Sequence, residues 1–227
     1  MEYLTLEQQN KQRQKKASLW LIAIVLIGLS VWGVWQLAAH SSKPNGPANI
    51  TVDSVSAGDN VLGRQDAPLT LIEYGDFQCP ACAAYNPIVL KLAGDYPDQL
   101  RIVYRHFPLK SIHAYAIYGA YAAEAAGKQG KFWAMEELLF ANRSQWAAPG
   151  FEQRFINYAS QLNLDTEQFK KDYDSQEVKI KVETSYENAL SLGLTGTPTF
   201  FLNGEQISPP ADYNKFKEII DEKLNQK

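Results

Sequence analysis

The sequence predicts a mixed α/β domain in which a block of helices separates two halves of one sheet, preceded by one membrane-spanning helix. Two observations predict the domain: a strand, a helix and a strand follow one another over residues 69–106, and two strands and a helix follow from residue 199. Only helical patterns occur from about residue 110 to 193. A third observation predicts the membrane helix, because 23 uncharged residues lie in one run near the N-terminus.

The uncharged run covers residues 17–39 and carries three tryptophans towards its ends. At ~1.5 Å per residue, a helix of this length crosses the ~30 Å hydrocarbon core of a bilayer. Because four basic side chains precede the run, we expect residues 1–16 to be a cytoplasmic tail. A cleaved signal peptide is the alternative, although Leu37-Ala38-Ala39 is a poor cleavage site. Both interpretations export the rest of the chain.

The composition of the chain limits its partners and cofactors. Residues 40–52 begin with a stretch rich in Ser, Pro, Gly and Asn and are predicted to be a linker, while residues 53–227 are enough for one domain. With 22 basic and 25 acidic residues the net charge is −3, which argues against a nucleic-acid partner. Two cysteines and three histidines argue against a disulfide framework and a zinc centre. Nothing in the sequence implies a metal or an organic cofactor.

The predicted elements follow from residue patterns and from the residues that start and stop them. Pro80 suits the first position of a helix, and Asn203-Gly204 is a strong two-residue hairpin turn. Asp165 is expected to cap a short helix. The predicted strands are 69–74, 100–106, 199–202 and 205–207, and the predicted helices are 80–94, 114–128, 131–142, 151–162, 178–192 and 212–224.

The motif Cys79-Pro80-Ala81-Cys82 follows the first strand and opens the next helix. A cysteine at a helix N-terminus faces unpaired N–H groups and the positive end of the helix dipole, so we expect Cys79 to be a nucleophilic thiolate. Cys82, three residues on, can close a disulfide with it. There are three alternatives for the pair. It could be half of a zinc site, but further ligands are lacking, or a structural disulfide, but so short a loop adds little stability. It could also be two inert thiols.

A second motif, Gly196-Thr197-Pro198-Thr199, lies directly before the strand 199–202. Proline is unusual at the start of an interior strand because it removes a hydrogen-bond donor. A cis bond before Pro198 would let a substrate chain approach the cysteines, and an ordinary trans bond at the strand entry is the alternative.

Together with Glu73–Cys82 and Arg105–Leu109, these motifs resemble those of the DsbA-like thiol:disulfide oxidoreductases, which have a thioredoxin-like fold. The resemblance covers residues 55–225. It implies that Cys79 is the attacking cysteine, that Cys82 resolves the mixed disulfide, and that Pro198 is a cis-proline. It also implies that Thr197 pairs with the substrate backbone as a β-strand does.

One residue departs from the pattern of the best-known members, which carry His where this chain has Ala81. A histidine there can stabilise the thiolate of the first cysteine, and stabilising the reduced form makes such an enzyme a strong oxidant. We therefore expect this pair to be less oxidising than in the members that contain the histidine.

Glu73 is a candidate proton acceptor. It shares one face of its strand with Leu69 and Leu71, six residues before Cys79, where the family often has a buried acid. A buried carboxyl with a raised pKa can take the proton of Cys82 during exchange. The alternative is a strand-end glutamate that faces solvent.

The sequence thus predicts a membrane-anchored thiol:disulfide oxidoreductase outside the cytoplasm, acting on exported cysteine-containing proteins. Each turnover requires a redox partner. This is a quinone-linked membrane oxidase if the enzyme introduces disulfides, or a transmembrane electron donor if it reduces them. A reductase or isomerase on the same fold is one alternative, and a non-catalytic peptide-binding module is another.

Overall fold

The strands of the chain pair into one mixed sheet in the computed structural model, which describes Trp32, Val52 and residues 55–226. The predicted tail 1–16 lies outside the described residues, as do the anchor 17–39 apart from Trp32 and the linker 40–52 apart from Val52. Within the described part of the chain, no helix combines the length and the apolar character that crossing a bilayer requires.

The observed elements match the predicted ones within a few residues. They are β1 (Asn60–Leu62), β2 (Leu69–Gly75), α1 (Pro80–Asp95), β3 (Leu100–His106), α2 (Ala116–Gly127), α3 (Phe132–Ala141), α4 (Arg143–Trp146), α5 (Phe151–Gln161), α6 (Thr166–Asp174), α7 (Gln176–Ser191), β4 (Thr199–Leu202), β5 (Glu205–Ile207) and α8 (Tyr213–Asn225). Asp165 caps α6 as expected, since its carboxylate accepts hydrogen bonds from the amides of Glu167 and Gln168. The sequence did not predict β1 or α4, because segments of three or four residues show no periodicity.

The strand order in the described residues is β1-β3-β2-β4-β5. The central pair, β2 and β3, is parallel and is joined through α1, whereas the other neighbouring strands are antiparallel. The predicted turn at Asn203-Gly204 joins β4 to β5 with positive φ angles of 49° and 85°. The fold is therefore the predicted mixed sheet, with the helices α2 to α7 between β3 and β4.

Helices cover both faces of β2, so both of its side-chain rows are buried. Leu69 and Leu71 pack against α1 and α8 on one face, whereas Ile72 and Tyr74 pack on the other. Glu73 continues the row of Leu69 and Leu71 and is 3% exposed, which confirms the predicted burial and excludes a solvent-facing glutamate. In the sheet Glu73 lies opposite Tyr104 of β3 and Phe200 of β4.

Candidate active site

The loop between β2 and α1 places the first cysteine at the start of a helix. Cys79 has an extended backbone (φ −70°, ψ 125°) as the N-cap, and Pro80 takes the first helical position, where its lack of an N–H costs nothing. The amide of Cys79 donates to the carbonyl oxygen of Asp76 at 3.0 Å. The helix then runs to Asp95 with Pro87 inside it.

The two cysteines differ in their access to solvent. Both are free thiols, but Cys79 keeps 6% of its surface exposed, while Cys82 keeps none. The residues between them, Pro80 and Ala81, are exposed. Cys79 is therefore mostly buried but keeps some contact with solvent, whereas Cys82 keeps none.

The pKa of Cys79 is lowered from 9.0 to about 5. The largest cause is a hydrogen bond from the thiol of Cys82, and the amide groups of Ala81 and Cys82 at the helix N-terminus add to it, while burial acts in the opposite direction. The lowered pKa agrees with the expected thiolate, but the hydrogen bond from the neighbouring thiol contributes more to it than the amides of the helix N-terminus. At neutral pH Cys79 is thus a nucleophile.

Cys82 has the opposite character. Burial, first, and then its hydrogen bond to Cys79 and the negative charge of Glu73 raise its pKa well above the ordinary value for a thiol. A thiol held protonated in this way cannot attack a disulfide unless a base removes its proton. The site therefore needs a proton acceptor next to Cys82.

Glu73 has the properties that this role needs. Burial raises its pKa to about 8, and the negative charge of Cys79 adds to the effect. No described residue forms a hydrogen bond with its Oε1 atom, so this oxygen can receive a proton. A carboxyl with a pKa near 8 changes its protonation state close to neutral pH, as a general base must.

The second motif, which precedes β4, lies next to Cys79. The Thr197–Pro198 bond is cis, as the resemblance implied. The carbonyl oxygen of Thr197 lies 3.4 Å from Cys79 Sγ and accepts a hydrogen bond from it when the thiol is protonated. Thr197 and Pro198 are both half-buried. The structure therefore brings Glu73, Cys79, Cys82 and the Thr197–Pro198 segment to one place.

Asp76 is a residue of this site that the sequence analysis missed. It is buried, and its carboxylate accepts hydrogen bonds from the amides of Gln78 and Leu109 and from Nδ1 of His113, each at 2.7 or 2.8 Å. These contacts fix the loop that carries Cys79. The sequence shows the acid, but two of its three partners, Leu109 and His113, lie more than 30 residues away along the chain.

Asn86 and Glu136 were missed as well. Asn86 lies one turn after Cys82 in α1, and its Nδ2 atom donates to Oε2 of Glu136 in α3 at 3.1 Å. Both are buried. The sequence feature that could have identified Glu136 is its place on an apolar helix face, between the buried Met135 and Leu139.

Among the described residues, no group of three or more His, Cys, Asp or Glu side chains is arranged to hold a metal ion. Phe77, next to the motif, is 1% exposed and stacks on Tyr104 at 4.9 Å between ring centroids, so it belongs to the core. The reactive groups that the described residues bring to this site are the sulfur atoms of Cys79 and Cys82 and the carboxyl of Glu73.

Comparisons with known proteins agree with this arrangement. The model of a family described as Thioredoxin matches residues 56–222. A thioredoxin-like oxidoreductase from Silicibacter pomeroyi DSS-3 is 27% identical with a TM-score of 0.64, and covers 75% of this chain and 94% of its own. DsbA2 from Pseudomonas aeruginosa is 26% identical with a TM-score of 0.59, and covers 74% of this chain and 96% of its own.

One curated relative is named as an ion antiporter and not as an oxidoreductase. The Na(+)/H(+) antiporter NhaA 1 of Salinispora arenicola is 35% identical over 196 residues, which are 82% of this chain. The chain spans only 29% of the length of that relative. The ion exchange in its name is therefore a property of a much longer protein.

Proposed function

The chain belongs to the thioredoxin family and is a thiol:disulfide oxidoreductase, and on that premise we propose that it exchanges disulfides with exported proteins through Cys79 and Cys82. The observation that carries the proposal is the asymmetry of the pair. Cys79 keeps 6% of its surface exposed and has a lowered pKa, whereas Cys82 is fully buried and has a raised pKa. This division fits an attacking thiol and a resolving thiol.

In the oxidising direction, a substrate thiolate attacks Sγ of Cys79 in the Cys79–Cys82 disulfide. The disulfide breaks, and Cys82 leaves and takes a proton from Glu73. A second substrate thiolate then attacks the substrate sulfur joined to Cys79, and Cys79 departs as a thiolate. The substrate loses two electrons and two protons, of which one reaches Cys82 through Glu73 and one goes to solvent. The reducing direction is the reverse of these steps.

The Thr197–Pro198 segment is the proposed place for the substrate backbone. Its support is the contact between the carbonyl oxygen of Thr197 and Cys79 Sγ, which puts this segment beside the reacting sulfur. A substrate chain lying next to it would have its cysteine within reach of Cys79.

The proposed location is the outer side of the cytoplasmic membrane, with residues 17–39 as a single-pass anchor and the N-terminus inside. The support comes from the sequence alone, namely the uncharged run and the basic residues before it. The substrates are then exported cysteine-containing proteins. The redox partner is a quinone-linked membrane oxidase.

The proposed net direction is oxidation. Stabilisation of the Cys79 thiolate favours the reduced enzyme and so drives the transfer of a disulfide to the substrate. Ala81 stands where a histidine would stabilise that thiolate further, so the pair is a weaker oxidant than members with the histidine. A net reductase or isomerase is the competing assignment.

The first experiment incubates the oxidised protein with a reduced, unfolded cysteine-containing protein and follows the disulfides formed in it. We expect stoichiometric transfer by the wild type and none by Cys79→Ser or Cys82→Ser, because neither variant can form the active-site disulfide. Offered a substrate that already holds a disulfide, reduced Cys82→Ser should form an arrested mixed disulfide through Cys79. Full activity of Cys79→Ser contradicts the proposal. Normal function of Cys79→Ala, Cys82→Ala in cells supports a non-catalytic binding module instead.

A second experiment determines the direction. Free thiols are trapped in whole cells, and the redox state of the pair is read from the mass of the modified protein. A mainly oxidised pair is the result expected of an oxidase. A mainly reduced pair assigns the protein to the reductases or isomerases.

A further inference from the structure

A loop that contains neither cysteine holds the segment that carries Cys79. It lies between β3 and α2 and covers residues 107–115. The amide of Leu109 donates to Oδ2 of Asp76 at 2.8 Å, and Nδ1 of His113 lies 2.7 Å from the same oxygen. The position of Cys79 therefore depends in part on this loop.

His113 makes the contact in which the residue type matters. The amide of Tyr115 also links the two segments, because it donates to Oε1 of Gln78 at 2.8 Å. Main-chain amides are supplied by every residue except proline, whereas the contact of His113 comes from its side chain. A substitution at position 113 therefore removes one defined contact and keeps the amide groups of the loop.

The carboxylate of Asp76 is completely buried, whereas the side chain of His113 is 16% exposed. A buried carboxylate needs hydrogen-bond donors, because the loss of water otherwise disfavours its charge. An imidazole donates from Nδ1 in its charged form and in one of its two neutral tautomers, and a carboxylate partner favours those forms. Of the three donors that the described residues give this carboxylate, His113 is the side chain.

Asp76 in turn positions Cys79. Its Oδ1 atom accepts from the amide of Gln78 at 2.7 Å, and its main-chain carbonyl oxygen accepts from the amide of Cys79 at 3.0 Å. The side chain and the main chain of Asp76 thus hold the turn 76–79 in one shape. The sulfur at the end of this turn lies 3.4 Å from the carbonyl oxygen of Thr197.

A displacement of this turn would change the surroundings of the reactive sulfur. The pKa of Cys79 is lowered by hydrogen bonds from Cys82, first, and then from Thr197 and the amides at the start of α1. Each of these contacts depends on where the sulfur lies, because hydrogen bonds weaken steeply as their geometry departs from the optimum. A contact that holds the turn therefore helps to keep the thiolate stable.

We propose that His113 is a positioning residue of the exchange reaction, which acts on the sulfur of Cys79 through the buried carboxylate of Asp76. This inference deepens the proposed function and rests on it. His113 neither exchanges sulfur atoms nor accepts their protons. It keeps the attacking sulfur at the helix start and beside Thr197, where the thiolate is stabilised.

The first test is a titration that does not depend on turnover. The ultraviolet absorbance of the Cys79 thiolate is followed against pH in the reduced wild type, His113→Ala and His113→Asn. The amide introduced by His113→Asn can donate to Asp76 from about the place of Nδ1. We expect the pKa of Cys79 to rise by about one pH unit in His113→Ala, the size of a weakened hydrogen bond to a charged group, and by less than about half of that in His113→Asn. From a wild-type pKa of about 5, alkylation at pH 5 should then slow by about fivefold in His113→Ala.

Lys110→Gln is the matched control, because Lys110 belongs to the same loop but pairs with Glu183 at 2.7 Å. Its titration should match that of the wild type. Thermal unfolding shows which variants are folded during the titration, and His113→Phe, which fills the space of the ring without a donor, replaces His113→Ala if that variant is unfolded. A merely structural role would lower the unfolding temperature and leave the pKa of Cys79 unchanged in the folded variant. That result overturns the proposal, and so does an equal shift in His113→Ala and His113→Asn.

The second test determines whether His113 acts through Asp76. The same titration compares the effect of His113→Ala in the wild type with its effect in Asp76→Asn. We expect His113→Ala to add less than about 0.3 pH unit in Asp76→Asn, because the contact between the two side chains is already altered there. The full shift of about one pH unit in that background overturns the proposal. If Cys79→Ser retains exchange, the proposed function fails instead, whatever the titrations show.

Discussion

Replacing Cys82 by alanine tests the origin of the reactive thiolate. The hydrogen bond from the Cys82 thiol is the largest cause of the lowered pKa of Cys79. A hydrogen bond to a charged group contributes about 1.5–3 kcal/mol, so its removal should raise the pKa of Cys79 by about 1–2 pH units. At pH 6 the wild-type thiol, with its pKa of about 5, is mostly ionised. Alkylation of Cys79 at that pH should then slow by about two- to tenfold in Cys82→Ala.

The assay follows the ultraviolet absorbance of the thiolate against pH, together with the rate of alkylation. Cys82→Ser is the matched control, because its hydroxyl can still donate a hydrogen bond to Cys79 and should shift the pKa less. If Cys82→Ala titrates like the wild type, the neighbouring thiol does not stabilise the thiolate. The helix N-terminus would then be the dominant cause.

Three further predictions concern pH, proton transfer and packing. Because the pKa of Cys79 is lowered from 9.0 to about 5, its thiolate stabilises the reduced fold fully above pH 9. As the pH falls from 9, this contribution decreases by about 1.4 kcal/mol per pH unit, and it is gone below about pH 5. Urea unfolding of the reduced wild type and of Cys79→Ser measures it, and an equal dependence of the unfolding free energy on pH in the two proteins contradicts it. Glu73→Gln should slow the resolution of a mixed disulfide by about 100-fold at pH 8 in stopped-flow measurements, and an unchanged rate excludes Glu73 as the acceptor. Gly75→Ala would place a Cβ 2.6 Å from the Tyr104 ring and should lower the free energy of unfolding by about 1–3 kcal/mol. Gly94→Ala, whose Cβ would meet nothing within 4 Å, should stabilise α1 by up to about 1 kcal/mol. If thermal unfolding shows Gly94→Ala to be less stable than Gly75→Ala, the packing argument is refuted.

The redox pair could be predicted from sequence because its information is local. A strand, a C-x-x-C and a proline at the first helical position together fix Cys79 at a helix start, and the period of two along β2 was enough to bury Glu73. Each inference used a single continuous segment of the chain. These are the parts of the site that the structure reproduces.

The rest of the site depends on packing between distant elements. Asn86 and Glu136 are 50 residues apart and meet only because α3 packs against α1, and Asp76 finds its partner His113 across 37 residues. The sequence shows a polar residue on an apolar helix face but not which residue lies opposite it. The dominant contribution of Cys82 to the pKa of Cys79 also escaped the sequence, since it depends on where two thiols point.

The most direct test of the account is to trap the covalent intermediate. Cys82→Ala is reacted with a peptide disulfide, and the modified residue is identified by mass spectrometry, with Cys79→Ala as the counterpart. We predict a stable mixed disulfide on Cys79 in the first variant and no adduct on the buried Cys82 in the second. An adduct that forms on Cys82 at a comparable rate would contradict it.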